Sequence, residues 1–270
     1  MTDRQFEMSL TIEAPRDAVW QALTDAAHLT RWFAPEAVCE PRVGGRMVWR
    51  WGAQHCWEQR IDALAPGEHL RTRYDSAVAD GAGGRRPLFV DFHLSGTGGT
   101  TSLRLVHSGF GPEADFDAEF DGIRSGWPVE LRSLRLALER HPGRERQLAW
   151  GVARTSLPAD AAWRQLCERM DVASLPALRE GAPFAVDVPG AGPIRGTALV
   201  GPSTREFSGV AANLDDGWFR VHCEEWAGAT QVWLWLALYE GPGRRRDEFQ
   251  RAFDALLAER FAGAPAAEGA

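Results

Sequence analysis

The chain of 270 residues is 44% hydrophobic, 25% charged and 10% aromatic, with a net charge of −7, the composition of a folded chain long enough for two domains with a core each. The acidic balance argues against a nucleic-acid partner, whose phosphates call for a basic face, and no segment reaches the roughly 18 consecutive apolar residues of a membrane-inserted helix. All 30 Lys-or-Arg positions are Arg, which excludes every lysine mechanism, whether Schiff base or phosphate loop.

Residues 6–14 alternate as a strand, and a helical stripe follows over 16–25, opened by Pro15-Arg16-Asp17. Pro just inside a helix loses nothing by lacking its N–H, and Asp in the first turn suits the positive end of the helix dipole. Ala26–Phe33 reads as a short second helix. From Val43 the pattern is β: Gly44-Gly45 turns into Met47–Trp51, and Cys56–Ile61, His69–Tyr74, Leu88–Leu94 and Ser102–Val106 follow, separated by Gly, Pro and Asp. Gly96-Thr97-Gly98-Gly99-Thr100 has the glycines of a phosphate loop but joins two strands without opening a helix, so it reads as a hairpin turn. A long helix at about 115–140 closes the half, with Pro128 requiring a kink or a helix start. His141-Pro142-Gly143-Arg144 then reads as a linker.

The same order begins again. Pro15–Leu23 returns as Pro158–Leu166, 143 positions on, with five of nine residues identical. A strand at 147–154 and a helix at 159–170 lead to strands near 183–188, 194–200, 205–210, 217–226 and 230–239, then a helix at 247–261. The closing stripe Trp127, Leu131, Leu134 reappears as Phe249, Phe253, Leu256, but only 122 positions on. The second copy is therefore about 21 residues shorter, and part of a pocket wall is expected to be missing from it. The predicted domains are 1–142 and 143–262, with 263–270 a small, polar, disordered tail.

Conventional catalytic motifs are absent: no G-x-S-x-G, G-x-x-x-x-G-K-[ST] or H-E-x-x-H. No catalytic residue is assigned. Cys39, Cys56, Cys167 and Cys223 are widely spaced, the pattern of buried or idle thiols. His55-Cys56 and His222-Cys223 are adjacent strand residues pointing to opposite faces, so neither pair closes on one ion; no metal and no cofactor is expected. The opening Met1–Glu7 lacks an apolar signal core, and a cytoplasmic location is expected.

Twelve Trp against two Tyr is an unusual balance. Trp32, Trp49, Trp51, Trp57 and Trp127 fall in the first half, where Trp49 and Trp51 share a strand face with Met47, and Trp57 aligns with Gln59 and Ile61. Core packing accounts for any single ring. So many indoles, each needing a partner for its N–H, suit the wall of a cavity. His107 shares a face with Leu103 and Leu105, and Tyr74 with Leu70 and Thr72; isolated polar tips on apolar faces can orient a guest, although a structural hydrogen bond is their commoner role. These residues, with Phe92, are the candidate ligand-binding set. In the second half Trp233 and Trp235 share one face while Val232, Leu234 and Leu236 share the other. Such a strand must be covered on both sides, by the other domain or by the second subunit of a homodimer. Arg244-Arg245-Arg246 reads as a solvated turn before a helix.

A strand, two helices, an antiparallel sheet and a long closing helix is the order of the helix-grip fold, and the expected class is α+β with two such domains in tandem. The first half also resembles the Hsp90 ATPase activator homologues of the START-like (SRPBCC) superfamily. The resemblance rests on Ile12-Glu13-Ala14-Pro15 with Val19-Trp20 and Leu23, Leu29-Thr30-Arg31-Trp32-Phe33, Val43-Gly44-Gly45-Arg46, Thr101–Phe110, and Gly126-Trp127 with Leu131 and Leu134. The second half is similar at superfamily level only. Eukaryotic co-chaperones of that name carry a separate N-terminal domain that engages the chaperone, whereas here the START-like domain starts within the first ten residues. The resemblance implies binding of a small hydrophobic or aromatic molecule in a cavity; with the Trp-rich first half and the lack of a catalytic constellation, the expected function is non-enzymatic binding in a first-domain cavity on the order of 300–1,000 Å³. A polyketide cyclase or aromatase-like enzyme, using His107, Tyr74 and Arg, and a chaperone-related interaction module are the alternatives.

Overall fold

Two prolines open the two halves in the same conformation. Pro15 (φ −58°, ψ 146°) and Pro158 (φ −56°, ψ 147°) each precede a nine-residue helix, α1 (Arg16–Thr24) in the first half and α4 (Ala159–Cys167) in the second. They stand at the N-cap, one position earlier than the sequence pattern places them. There the extended ψ sets the entry of the chain while the proline carbonyl accepts the first helical bonds, from Ala18 and Val19 in one copy and from Ala161 and Ala162 in the other. The structure, a computed structural model, describes residues 3–52, 55–79, 83–199, 204–226, 228–239 and 243–261. The tail 263–270 lies outside them. The chain divides into two units, Met1–Arg144 and Glu145–Ala270.

In the first unit β1 (Arg4–Ile12), α1 and α2 (Ala26–Leu29) precede β2 (Glu36–Cys39), β3 (Arg46–Trp51), β4 (His55–Ala65), β5 (His69–Ala79), β6 (Arg85–Ser95), β7 (Thr101–Phe110) and α3 (Asp117–Arg140). The seven strands form one antiparallel sheet in the order β1-β7-β6-β5-β4-β3-β2. Gly44 (φ +77°) makes the turn into β3, and a side chain at Gly45 would strike the Glu40 carbonyl. Gly96 to Thr100 is the β6–β7 hairpin connection. The α2 helix stops at Leu29, short of the expected Phe33, and the next residues wind through a turn that carries Trp32 and Phe33 into the core. Pro128 sits inside α3. It removes the hydrogen bond to the Arg124 carbonyl, and the helix continues because its buried stripe, Trp127, Leu131 and Leu134, holds both sides of the defect to the sheet.

The second unit runs β8 (Gln147–Thr155), α4, β9 (Pro183–Val188), β10 (Gly192–Leu199), β11 (Glu206–Ala211), β12 (Gly217–Trp226), β13 (Ala229–Leu238) and α5 (Arg244–Phe261). Its sheet order, β8-β13-β12-β11-β10-β9, is that of the first sheet with one strand fewer. Phe249, Phe253 and Leu256 of α5 enter a core with Phe184, Phe207 and Phe219. Both units are helix-grip domains, so the fold is α+β in tandem. Trp233 and Trp235 are buried, and within this unit their cover includes each other's neighbours: Trp150 lies 6.1 Å from Trp233 and 6.0 Å from Trp235, His222 stacks on Trp233, and the Arg146 guanidinium lies over Trp235.

Candidate ligand site

The inner face of the first sheet is built by strand alternation. Met47 and Trp49 on β3, Gln59 and Ile61 on β4, Leu70 and Thr72 on β5, Leu88, Val90 and Phe92 on β6, and Leu103, Leu105 and His107 on β7 are all buried. Most of these are apolar, so the polar exceptions carry the chemistry.

His107 is 2% exposed and joins two other candidates. Trp127 Nε1 lies 3.1 Å from His107 Nδ1, and Tyr74 Oη lies 2.9 Å from His107 Nε2. An indole N–H can only donate, so Nδ1 accepts. Burial pushes the imidazole down to about 3, leaving it neutral at physiological pH, and its single proton is then on Nε2, donated to the tyrosine oxygen. The phenol proton of Tyr74 is left to point at a further acceptor. Burial, reinforced by the Glu119 carboxylate, raises the Tyr74 phenol above its ordinary value, so that proton stays on.

Two further donors on this face lack a partner among the described residues. Trp49 Nε1 is buried and unpaired, and so is Gln59 Nε2, whose Oε1 accepts from Thr72 Oγ1 at 2.6 Å. Trp32, by contrast, is satisfied: its Nε1 donates to the Ala22 carbonyl at 2.8 Å, and its own carbonyl accepts from Ser133 of α3. Trp32 is thereby a structural tie between α1, the turn after α2 and α3.

The rings form a connected path inward. Trp57, 42% exposed, meets half-buried Trp51 edge to face at 5.6 Å; Trp51 meets Phe33 at 5.2 Å; Phe33 meets Trp49 at 4.8 Å and Trp127 at 5.9 Å. Phe92 closes on Trp127 at 5.6 Å. Trp57 is thus at the outer end of the path and not in the wall of the interior. The reason lies in the strand pairing: β4 and β5 are paired only from Arg60↔Arg73 to Ala65↔His69, so residues 55–59 and 74–79 separate. The freed edge of β5 is tied instead to α3, where the buried Glu119 accepts from Ser76 Oγ at 2.5 Å and from the Ala77 amide at 2.8 Å.

Sequence reasoning named Trp32, Trp49, Trp51, Trp57, Tyr74, Phe92, His107 and Trp127. The structure joins Tyr74, His107 and Trp127 by hydrogen bonds and the others through ring contacts, Trp32 by way of Phe33 at 4.9 Å. Phe33, Gln59 and Glu119 were missed. Gln59 had a signal, a polar residue in step with inward Ile61; Glu119 had none, because its partners are more than 40 positions away. Three of the four thiols are poor nucleophiles: burial pushes Cys39 and Cys167 up to about 11 and Cys223 to about 12.

A helix clasped by a curved antiparallel sheet, with polar groups set into the apolar face between them, defines a START-like helix-grip protein. Residues 13–139, nearly all of the first unit, match the family described as Activator of Hsp90 ATPase homolog 1-like protein. Among solved structures, protein MLL2253 from Mesorhizobium loti is 27% identical over 51% of this chain and 98% of its own, with a TM-score of 0.46. The Aha1 dimer from Colwellia psychrerythraea is 21% identical over 52% and 98%, with a TM-score of 0.44. DynU16, from the dynemicin biosynthetic locus, is 19% identical and spans 97% of this chain and 98% of its own, with a TM-score of 0.43. No curated protein matches the sequence. No helix among the described residues is long and apolar enough to cross a membrane.

Proposed function

We propose that the first unit binds a small, flat, apolar molecule that carries a hydrogen-bond acceptor, in a cavity between its sheet and α3. The observation that supports this most directly is the pair of buried, unpaired donors on Trp49 and Gln59 beside the aromatic path from Trp57 to Trp127. A buried donor without a partner costs about 1–3 kcal/mol. A carbonyl or ether oxygen on an aromatic guest would relieve that cost, and the Tyr74 proton offers a third contact of the same polarity. The separated ends of β4 and β5 give the guest a way in.

Acid–base turnover is the weaker reading. A general base or acid works best with a pKa near the operating pH, and burial moves His107 and Tyr74 away from it in opposite directions. The site is built to hold a proton in place.

The test compares 9-fluorenone with fluorene, which share a planar skeleton and differ by one carbonyl. Saturable quenching of Trp fluorescence is expected with both, with the ketone bound about 3- to 10-fold tighter. Tyr74→Phe and Trp49→Phe should erase that preference while the fold survives. No saturable response to either probe, together with no co-purifying molecule in native mass spectrometry, would sink the binding reading. Conversion of an aromatic polyketide-like substrate that stops in His107→Ala would favour the enzyme.

A further inference from the structure

The outer face of the same sheet carries a second constellation, away from the aromatic interior. His69 on β5 stands directly opposite His93 on β6, and Asp91 lies two residues before His93, hence on the same face. His69 Nε2 is 2.7 Å from Asp91 Oδ1, the two imidazoles lie parallel with centroids 4.4 Å apart, and one ligand atom from each of the three residues falls within 4.8 Å of the others. Asp91 is buried, and its other oxygen lies 3.8 Å from Arg71 Nη1. That guanidinium rests on the Phe89 ring, 4.3 Å from its centroid.

We propose that His69, Asp91 and His93 form a three-ligand site for a borderline divalent cation, Zn²⁺ being the probe of choice. Two imidazole nitrogens and one carboxylate oxygen are the donor set of Zn²⁺, Ni²⁺ or Cu²⁺; Ca²⁺ and Mg²⁺ demand oxygen-rich shells. Metal–ligand bonds of about 2.0–2.2 Å place tetrahedral ligand atoms roughly 3.3 Å apart. The present spacing closes to that value by side-chain rotation alone, because cross-strand neighbours already have their Cβ atoms close. Parallel rings aim their lone pairs along parallel planes, so the two imidazoles must turn about χ2, a broad torsion for His, to converge. The proton that His69 Nε2 now shares with Asp91 moves to Nδ1 as the cation takes its place, so a neutral ring remains the ligand. Arg71, on the far oxygen, holds the carboxylate in orientation from outside the site. A fourth position faces outward, open to water.

The experiment titrates Zn²⁺ into the chelator-treated full chain at neutral pH, by calorimetry and by NMR of the seven His imidazoles. One Zn²⁺ per chain is expected, with only the His69 and His93 resonances shifted. His93→Asn and Asp91→Asn should each weaken binding about 10- to 100-fold, while His28→Ala, outside the cluster, should leave it unchanged. Circular dichroism verifies that the variants fold, and the NMR arm needs no variant beyond those used for assignment. Unchanged affinity in both cluster variants, or shifts confined to His55 with binding lost in Cys56→Ser, would overturn the site.

Discussion

The two units share one chain path and differ in what their inner faces contain. In the second, Phe184, Phe207, Phe219, Phe249 and Phe253 meet among aliphatic side chains, and the polar residues Thr155 and Thr230 stand opposite each other at one end of the β8–β13 ladder. In the first, Trp49, Gln59, Tyr74 and His107 interrupt the same face with donors. The second unit too has buried donors without partners among the described residues, Trp218 Nε1 and Trp235 Nε1, but they lie on the face turned away from α5, with Trp233. The comparison teaches that one scaffold tolerates polar groups on either side of its sheet. Only the side gripping the helix can enclose a guest. The second unit uses that side as core, in keeping with its shorter chain and its missing strand.

The comparison is broken most severely at Phe253. If the second interior is packing alone, Phe253→Ala, at a fully buried position, should remove about 3–5 kcal/mol. Urea unfolding followed by hydrogen exchange should show lost protection in β12 and α5 and none in β7; a cost near zero would mean that the second interior is not solid. A smaller effect comes from acid. The folded His107 titrates at about 3, below its ordinary 6.5, so the unfolded chain takes up the proton first. The stability held by the neutral ring is complete above pH 6.5 and drains as the pH falls toward 3, on the order of 2 kcal/mol by pH 5. The urea midpoint of the first unit should drop between pH 7 and pH 5, and His107→Gln should flatten that slope; an equal slope in the variant would refute the assignment. Smallest is Trp49→Phe. Because it deletes an unpaired N–H along with ring volume, the two effects oppose, and thermal unfolding should change by less than about 1 kcal/mol. A loss of several kcal/mol would place Trp49 in a core as dense as that around Phe253.

Much of the architecture was legible because it rests on short-range rules. The Pro at the N-cap and the Asp in the first turn of α1 and α4, the period-2 runs that became β9 and β12 with their ends as expected, and the i, i+4, i+7 stripes of α3 and α5 all speak within a dozen residues. β2 was missed, since Glu36–Cys39 is four residues long with an exposed valine and pairs only with β3. The site was half legible. Alternation put Tyr74 and His107 on inward faces, but their meeting depends on the register that sets Tyr74 opposite Leu88 and His107 opposite Val90, which is a product of three strands. Trp57 illustrates the opposite failure: its face was read correctly, and its exposure follows from where β4 parts from β5, a fact with no local cause. The His69, Asp91 and His93 cluster escaped for the same reason, since His69 lies 22 positions before Asp91 and meets it only through the pairing of β5 with β6.

Glu119 has one more consequence. Where β5 leaves β4, its backbone offers amides to any passing extended chain, and such a margin is the template on which sheets of separate molecules grow together. The Glu119 carboxylate already occupies the Ala77 amide and the Ser76 hydroxyl, and it places an anion where an incoming strand would have to bring a carbonyl. The domain can therefore keep a gap in its wall without becoming a seed for polymerisation.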